Sequence, residues 1–285
     1  MKQLIINADD FGLHETVNIG IIKGHTVGSI TSTTIMPNGN AFEHAVALAS
    51  TNKQLGIGVH LTLVGGGSPV CRPEQVQSLV NGEGKLSSHY PQFLLRYISG
   101  KVQLADVRRE LIAQVQKAVD SGLAITHLDS HQHMHILPGI IDITIDIAKE
   151  FNIPSVRIPA EPYFFIGEYP YSIARFVSRA GLTFLSQIAS LKIKKHKLFM
   201  PDHFFGMLAG GNMCEPFLTV IVENLPDGIS EIMMHPGTDN DLVNTMYNWN
   251  LHGQEELAAV TSDHVRQRLA DKRVQLISFR DLGYD

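Results

Sequence analysis

Short apolar runs recur along this chain, each followed by a stretch of helical periodicity, and this alternation restricts the fold more than any other feature of the sequence. QLIINAD (Gln3 to Asp9), SITSTTIM (Ser29 to Met36), GIGVHLTL (Gly56 to Leu63), AITHLDS (Ala124 to Ser130), PSVRIP (Pro154 to Pro159), SEIMMH (Ser230 to His235) and VQLISF (Val274 to Phe279) read as strands, with a weaker candidate at Lys197 to Met200. LADVRRELIAQVQKAVDSG, closed by Gly122, is a helix by its spacing, as are GIIDITIDIAKEFN and EELAAVTSDHVRQRLADK. Strands alternating with helices imply parallel βαβ units. Seven or eight such units with no GxGxxG phosphate turn predict a distorted seven- or eight-stranded parallel β/α barrel rather than an open dinucleotide-binding sheet. A length of 285 residues, 44% of them hydrophobic, is enough for residues 1–285 to form one such barrel domain.

Charge and cysteine usage exclude several function classes. Lys and Arg total 23 against 28 Asp and Glu, interspersed along the chain, so no basic stripe suggests nucleic acid. The most basic stretch, LKIKKHK from Leu191 to Lys197, reads as a solvated helix end. Cys71 and Cys214 lie far apart without a CxxC pattern, which argues against a disulfide framework or a structural zinc site. No charged leader precedes an apolar segment, and no apolar run reaches membrane-spanning length, so the expectation is a soluble cytoplasmic protein without a membrane partner. The Gly- and Pro-rich stretch VGGGSPVCRPEQVQ after the third strand and the aromatic AEPYFFIGEYPY after the fifth read as rims of an active site.

Histidine is the unusual component: 14 residues, several beside carboxylates at strand ends. Asp9 and Asp10 close the first strand, His60 lies in the third, THLDSHQHMH (Thr126 to His135) closes the fourth, and His235 closes the seventh. In a parallel barrel all of these ends open onto one face, so residues distant in sequence converge. Asp129, His131, His133 and His135 occupy alternate positions and would share a face if extended. So many ionisable groups are costly to bury without a cation or hydrogen-bond partners. A carboxylate with two neutral imidazoles leaves coordination positions open on a divalent ion, as catalytic sites require; zinc, manganese, magnesium and iron all suit such donors. Successive side chains of a strand point to opposite faces, so Asp9 and Asp10 are expected to have different tasks. One carboxylate remains for general-base work beside the ion.

NADDFG, TSTT, GVHLTL, THLDSHQHMH and HPG, in this order from residue 5 to about residue 237, together resemble the YdjC-like carbohydrate deacetylases, the chitooligosaccharide deacetylase family. The resemblance implies a distorted β/α barrel of glycoside hydrolase/deacetylase type, a divalent metal (magnesium), a homodimer, and removal of the N-acetyl group from chitobiose-type sugars or their 6-phosphates, in chitin and polysaccharide degradation. Carried over by position, it makes Asp9 the base, Asp10, His60 and His131 the metal ligands, and His235 the acid that protonates the leaving amine. Gln132 stands where the family can show a histidine. Arg157, ending the fifth strand, is a candidate contact for a substrate phosphate or carboxylate, with an ordinary salt bridge as the alternative. Tyr163, Phe164, Phe165, Tyr169 and Tyr171 are candidates for sugar stacking or for lid packing. Two other enzyme readings use histidine-rich barrel ends, a metal-dependent phosphoesterase and an amidohydrolase; the non-enzyme alternative is a metal-tethered carbohydrate-binding or regulatory protein.

Overall fold

The computed structural model describes residues 1–165 and 173–282. Among these, β1 (Lys2–Phe11), β2 (Ser32–Ile35), β3 (Gly56–Leu61), β4 (Ile125–Ser130), β5 (Ser155–Val156), β6 (His203–Phe205) and β7 (Gly228–Met234) form a parallel sheet in the order β5-β4-β3-β2-β1-β7-β6, and the short β8 (Gln275–Leu276) pairs with the start of β1. One bridge between Ser155 and Phe199 links β5 to the chain entering β6, so the sheet curls back on itself as a distorted parallel barrel. Around it run α1 (Glu15–Thr26), α2 (Phe42–Thr51), α3 (Tyr90–Ile98), α4 (Leu104–Asp120), α5 (Ile140–Glu150), α6 (Ile173–Lys195), α7 (Glu215–Glu223), α8 (Asn240–Tyr247), α9 (Gly253–Thr261) and α10 (Asp263–Asp271). No helix among the described residues is long and apolar enough to cross a membrane.

The three helical stretches named from periodicity form as α4, α5 and the pair α9 and α10. In α4, Val107, Leu111, Val115 and Ala118 recur on one face and are buried. The same face buries Glu110 and Gln114, which have partners: Gln114 bridges the backbone N–H and carbonyl of Thr62, and Glu110 accepts from the N–H groups of Val70 and Cys71. These bonds fix the glycine-rich loop after β3. The helix expected across residues 255–272 is divided at Ser262, whose hydroxyl caps the second half by accepting from His264 N and Val265 N. The strand expected at Lys197 to Met200 reduces to the Phe199 bridge, and pairing resumes only at His203.

The strands sort their side chains by alternation. Leu4, Ile6 and Ala8 of β1 pack into the main core beneath the helices, whereas Ile5 joins Ile277, Phe279 and Leu282 in a second apolar cluster. Asn7 and Asp9, on the same side of β1 as Ile5, meet Thr34 of β2 and Arg157 after β5. The barrel lumen is therefore apolar at one end and charged toward the carboxyl ends of the strands. His127 of β4 sits at the boundary, stacked on Phe279 with ring centroids 3.6 Å apart. Gly58 of β3 makes room for it: a Cβ there would lie 2.5 to 2.7 Å from three atoms of the imidazole.

Because Phe279 prevents the ring from retreating, Gly58→Ala should destabilise the protein by about 1–3 kcal/mol in denaturant unfolding. His127→Ala should cost less in the Gly58→Ala background than in the wild type; strictly additive effects in this double-mutant cycle would show that the two positions do not compete for space.

Candidate metal centre and active site

The end of β1 departs from regular pairing. Ala8 is opposite Thr33 of β2, but Phe11 is opposite Ile35, so three steps on β1 match two on β2. The extra residue is a bulge, and Asp10 within it has φ of +66°. This overturns the expectation from alternation: Asp9 and Asp10 do not diverge to opposite faces, and both carboxylates approach His60. Their partners nevertheless differ.

Asp10, His60 and His131 converge as buried donors. Asp10 Oδ1 lies 3.3 Å from His60 Nε2 and 3.1 Å from His131 Nδ1. His60 Nδ1 is 2.8 Å from Asp129 Oδ1, a bond that orients the imidazole and leaves Nε2 facing Asp10. Thr34 supports the same pair, donating to Asp129 Oδ2 at 3.1 Å. Burial alone would lower the His60 pKa, but the carboxylates of Asp129, Asp10 and Asp9 override it and push it to about 10. Burial likewise opposes ionisation of Asp10, yet His131 and His60 hold its carboxyl well below the usual range. The surroundings thus demand positive charge, and His131 Nε2 is buried with no hydrogen-bond partner among the described residues. A divalent cation fits this donor set. A second donor group, Asp9, His60 and Asp129, fits less well, because the Arg157 guanidinium already sits 2.7 Å from both of those carboxylates.

Arg157 is fully buried, so it does not present itself to substrate as the sequence reading allowed. Its fork grips Asp9 through two bonds of 2.7 Å, its Nη1 also pairs with Asp129, and its Nε donates to Glu231 Oε1 at 2.7 Å. Asn7 Nδ2 donates to Asp9 Oδ1 at 2.9 Å as well. Three of the roughly four lone-pair positions of Asp9 are thereby taken, and one remains for a proton or a water.

His235 follows β7, the immediate neighbour of β1, with Met234 opposite Ala8. It therefore stands on the opposite side of β1 from β3 and β4, beside the base strand rather than across the lumen from it. Its backbone N–H donates to Glu256, and its Nδ1 lies 3.9 Å from the same carboxylate. The side chain keeps 16% of its surface accessible, unlike the 2% of His60.

The HQHMH run is not extended. Residues His131–Ile136 form a tight 3-10 turn with Gln132 and His133 in the left-handed region, so the alternate residues do not share a face. His131 reaches Asp10, while His133 packs its edge against Phe204. His135 is structural, bonded to Ser130 Oγ and the Arg157 carbonyl. Of the aromatic candidates, Phe165 packs against Phe205, Tyr163 contacts Gln187, Phe164 is exposed, and Tyr169 and Tyr171 lie outside the described residues. Sequence reasoning grouped Asp129 with the histidines without giving it the role of orienting His60, assigned no task to Thr34 or Asn7 although both lie in the quoted motifs, and missed Glu231 and Trp249, whose ring stacks on His131 with centroids 5.0 Å apart.

Several known proteins are similar to this chain. The sequence profile of the YdjC-like protein family matches residues 3–271. A carbohydrate deacetylase of Brevibacillus brevis is 33% identical over 282 residues, spanning 99% of this chain and 100% of that protein. A carbohydrate deacetylase of Clostridium beijerinckii is 32% identical over 286 residues, spanning 98% and 100%. A crystal structure from Enterococcus faecalis V583, described as that of a candidate cellobiose-phosphate cleavage protein, superposes with a TM-score of 0.78 at 26% identity, covering 99% of this chain and 98% of that one.

Two outcomes follow from this geometry. His60→Ala and His131→Ala should each purify folded with sharply reduced divalent metal; full occupancy by elemental analysis would remove them from the ligand set. The second concerns acid. Burial lowers His127 to about 3, His135 to about 4 and His133 well below 6.5, so between about pH 6.5 and 4 the unfolded chain binds protons that the fold refuses, and stability falls as pH falls. Burial acts oppositely on Glu231, raising it from 4.5 to about 7 against the pull of Arg157, and offsets part of this loss. His127→Phe should flatten the decline measured by urea unfolding across that window, and an unchanged slope would contradict the assignment.

Proposed function

The chain belongs to the YdjC-like family, and from that premise and the buried Asp10, His60 and His131 donors we propose that it is a metal-dependent carbohydrate deacetylase, a hydrolase that cleaves the amide C–N bond of an N-acetylated sugar and releases acetate. One observation carries the reading: beside three donors suited to a divalent ion stands a separate carboxylate, Asp9, held by Arg157 and not consumed as a ligand. The family profile and the full-length carbohydrate deacetylase relatives support the reaction class. Chitobiose-type oligosaccharides or their 6-phosphates are the proposed substrates; the disaccharide phosphate named for the similar Enterococcus faecalis protein is consistent with that size and charge. Magnesium is the proposed metal by resemblance, with zinc or manganese also suited to the imidazole donors. A cytoplasmic homodimer completes the proposal.

A divalent ion held by Asp10, His60 and His131 would supply Lewis acidity to the acetamide carbonyl. Asp9 accepts the proton of the attacking water through its remaining lone pair, its plane fixed by the guanidinium fork. Asp129 holds the His60 ring in the tautomer with Nε2 free. His235, partly accessible on the neighbouring strand, donates a proton to the leaving nitrogen, without which an amine departs poorly.

Acetate release from N-acetylated mono- and oligosaccharides, with and without 6-phosphate, should disappear on chelation and return on adding back metal; phosphate release without acetate would redirect the reading to a phosphoesterase. Asp9→Asn should retain metal and lose about 10²- to 10⁴-fold in turnover. His235→Ala should impair the acetamido sugar far more than an ester analogue, whose alkoxide needs less help to leave. Equal losses on amide and ester would dismiss His235 as the leaving-group acid.

A further inference from the structure

Helix α6 carries its polar groups inward. Arg179, Thr183 and Ser186 are almost fully buried, and all three donate to the backbone of the segment after β5: Arg179 to the carbonyls of Tyr163 and Phe165, Thr183 to that of Glu161 at 3.1 Å, and Ser186 to that of Pro159 at 3.1 Å. Ala189 and Ile193 continue the same row as apolar contacts. The outward face is apolar instead. Ile173, Val177, Phe184, Ile188 and Leu191 recur at helical spacing, with 82%, 62%, 57%, 45% and 67% of their surfaces exposed. An ordinary surface helix shows the reverse pattern. Between Val177 and Phe184 the stripe is continued by Gly181, where an added Cβ would meet nothing within 4 Å among the described residues. Glycine is a poor helix former, and the chain's own packing does not require it there. It leaves room for a second backbone to approach.

We infer that this face is the contact with a second copy of the chain, the two α6 helices packing antiparallel about a two-fold axis between residues 182 and 183. The inference gives the homodimer proposed above a face and a register, and it does not depend on the reaction. In this register Phe184 of each copy lies over Gly181 of the other, and Val177 lies opposite Ile188, each contact made twice by symmetry. A register three residues further would set the two Phe184 rings against each other and Gly181 opposite Gln187. Charge sets the direction. The last turn carries Lys192, Lys194 and Lys195, of which Lys192 is paired with Asp142. Antiparallel packing keeps the two Lys194 side chains about 35 Å apart along the helices, at 1.5 Å per residue. Parallel packing would bring these like charges side by side. Area agrees with a second copy as the occupant. The stripe leaves on the order of 500 Å² of apolar surface exposed, the upper end of the roughly 300–600 Å² in the largest patch of a monomer. Two such stripes together reach about the 1,000 Å² that a stable interface must bury.

The test is the oligomeric state of the full chain, by light scattering and sedimentation at micromolar concentration. Wild type should be a dimer. Phe184→Glu and Ile188→Glu should each keep the far-UV circular dichroism of wild type and weaken the dimer by about 30-fold or more in Kd, the loss at an interface hot spot. Gly181→Leu should weaken it as well, although leucine is the better helix former. Register is read by disulfides in a Cys71→Ser, Cys214→Ser background. An oxidised mixture of Val177→Cys and Ile188→Cys chains should give a linked dimer. Val177→Cys alone should not, because its two copies stand about 16 Å apart along the helices. Self-linking of Val177→Cys would indicate a parallel pair and overturn the register. A dimer indifferent to Phe184→Glu and Gly181→Leu would place the two-fold on another face, and a monomeric wild type would overturn the inference outright. Binding of such a monomer to anionic phospholipid vesicles, lost in Phe184→Glu, would assign the face to a lipid surface instead. None of these readouts uses turnover, so a chain that dimerises through α6 and releases no acetate would contradict the deacetylase reading alone.

Discussion

A single guanidinium underlies the arrangement at the top of the barrel. Arg157, with no accessible surface, pairs with Asp9 from β1, Glu231 from the adjacent β7 and Asp129 from β4, three strands away from β1 in the sheet order. Burying so many charges is favourable only when each is paired, and removing one partner of such a pair costs about 3–5 kcal/mol because the other is left without compensation. The lumen can hold charged side chains because this cation draws them together, and burial fails to neutralise it: the carboxylates of Asp129, Asp9 and Glu231 hold its pKa well above the ordinary guanidinium value.

The same contact separates the duties of two neighbouring aspartates. Asp9 is held by the fork and by Asn7, whereas Asp10, placed by a bulge in the left-handed region, faces His60 and His131. Non-glycine residues in that region are strained by about 1–3 kcal/mol each, and Asp tolerates it better than most. Gln132 and His133 adopt it as well, in the turn that delivers His131. Backbone strain thus collects on both sides of the donor cluster, where neighbouring packing holds each ligand in place. Behind the ligands, Asp129 orients His60 and is itself held by Thr34 and Arg157, so the support of the metal site and the support of the base share members.

The parts of the fold that were legible in the sequence are those in which local pattern and tertiary structure agree. The strands at β1, β3, β4 and β7 follow from apolar runs, and the convergence of Asp10, His60 and His131 follows from placing parallel strand ends on one face. What escaped is set by contacts no local pattern records. The bulge at Asp10 depends on register against β2, so alternation mispredicted the direction of one carboxylate while correctly assigning the pair two surroundings. The HQHMH alternation suggested an extended face, but two left-handed residues turn it into a tight loop. β6 is three residues long, too short for periodicity to show. Arg157 was visible as a strand-end cation, but its three partners lie 28, 74 and 148 residues away in the chain, and only the closed sheet brings them together.

The central claim is that the planar fork of Arg157, beyond its charge, positions Asp9 as a base distinct from the metal ligands. Arg157→Lys keeps the charge and removes the fork, so metal content and acetate release measured on the same purified variant test the claim directly. The account predicts near-full metal occupancy with turnover reduced at least about 10²-fold, the scale of loss when a reacting group is misplaced by an ångström. Wild-type turnover in a metal-replete Arg157→Lys protein would contradict it.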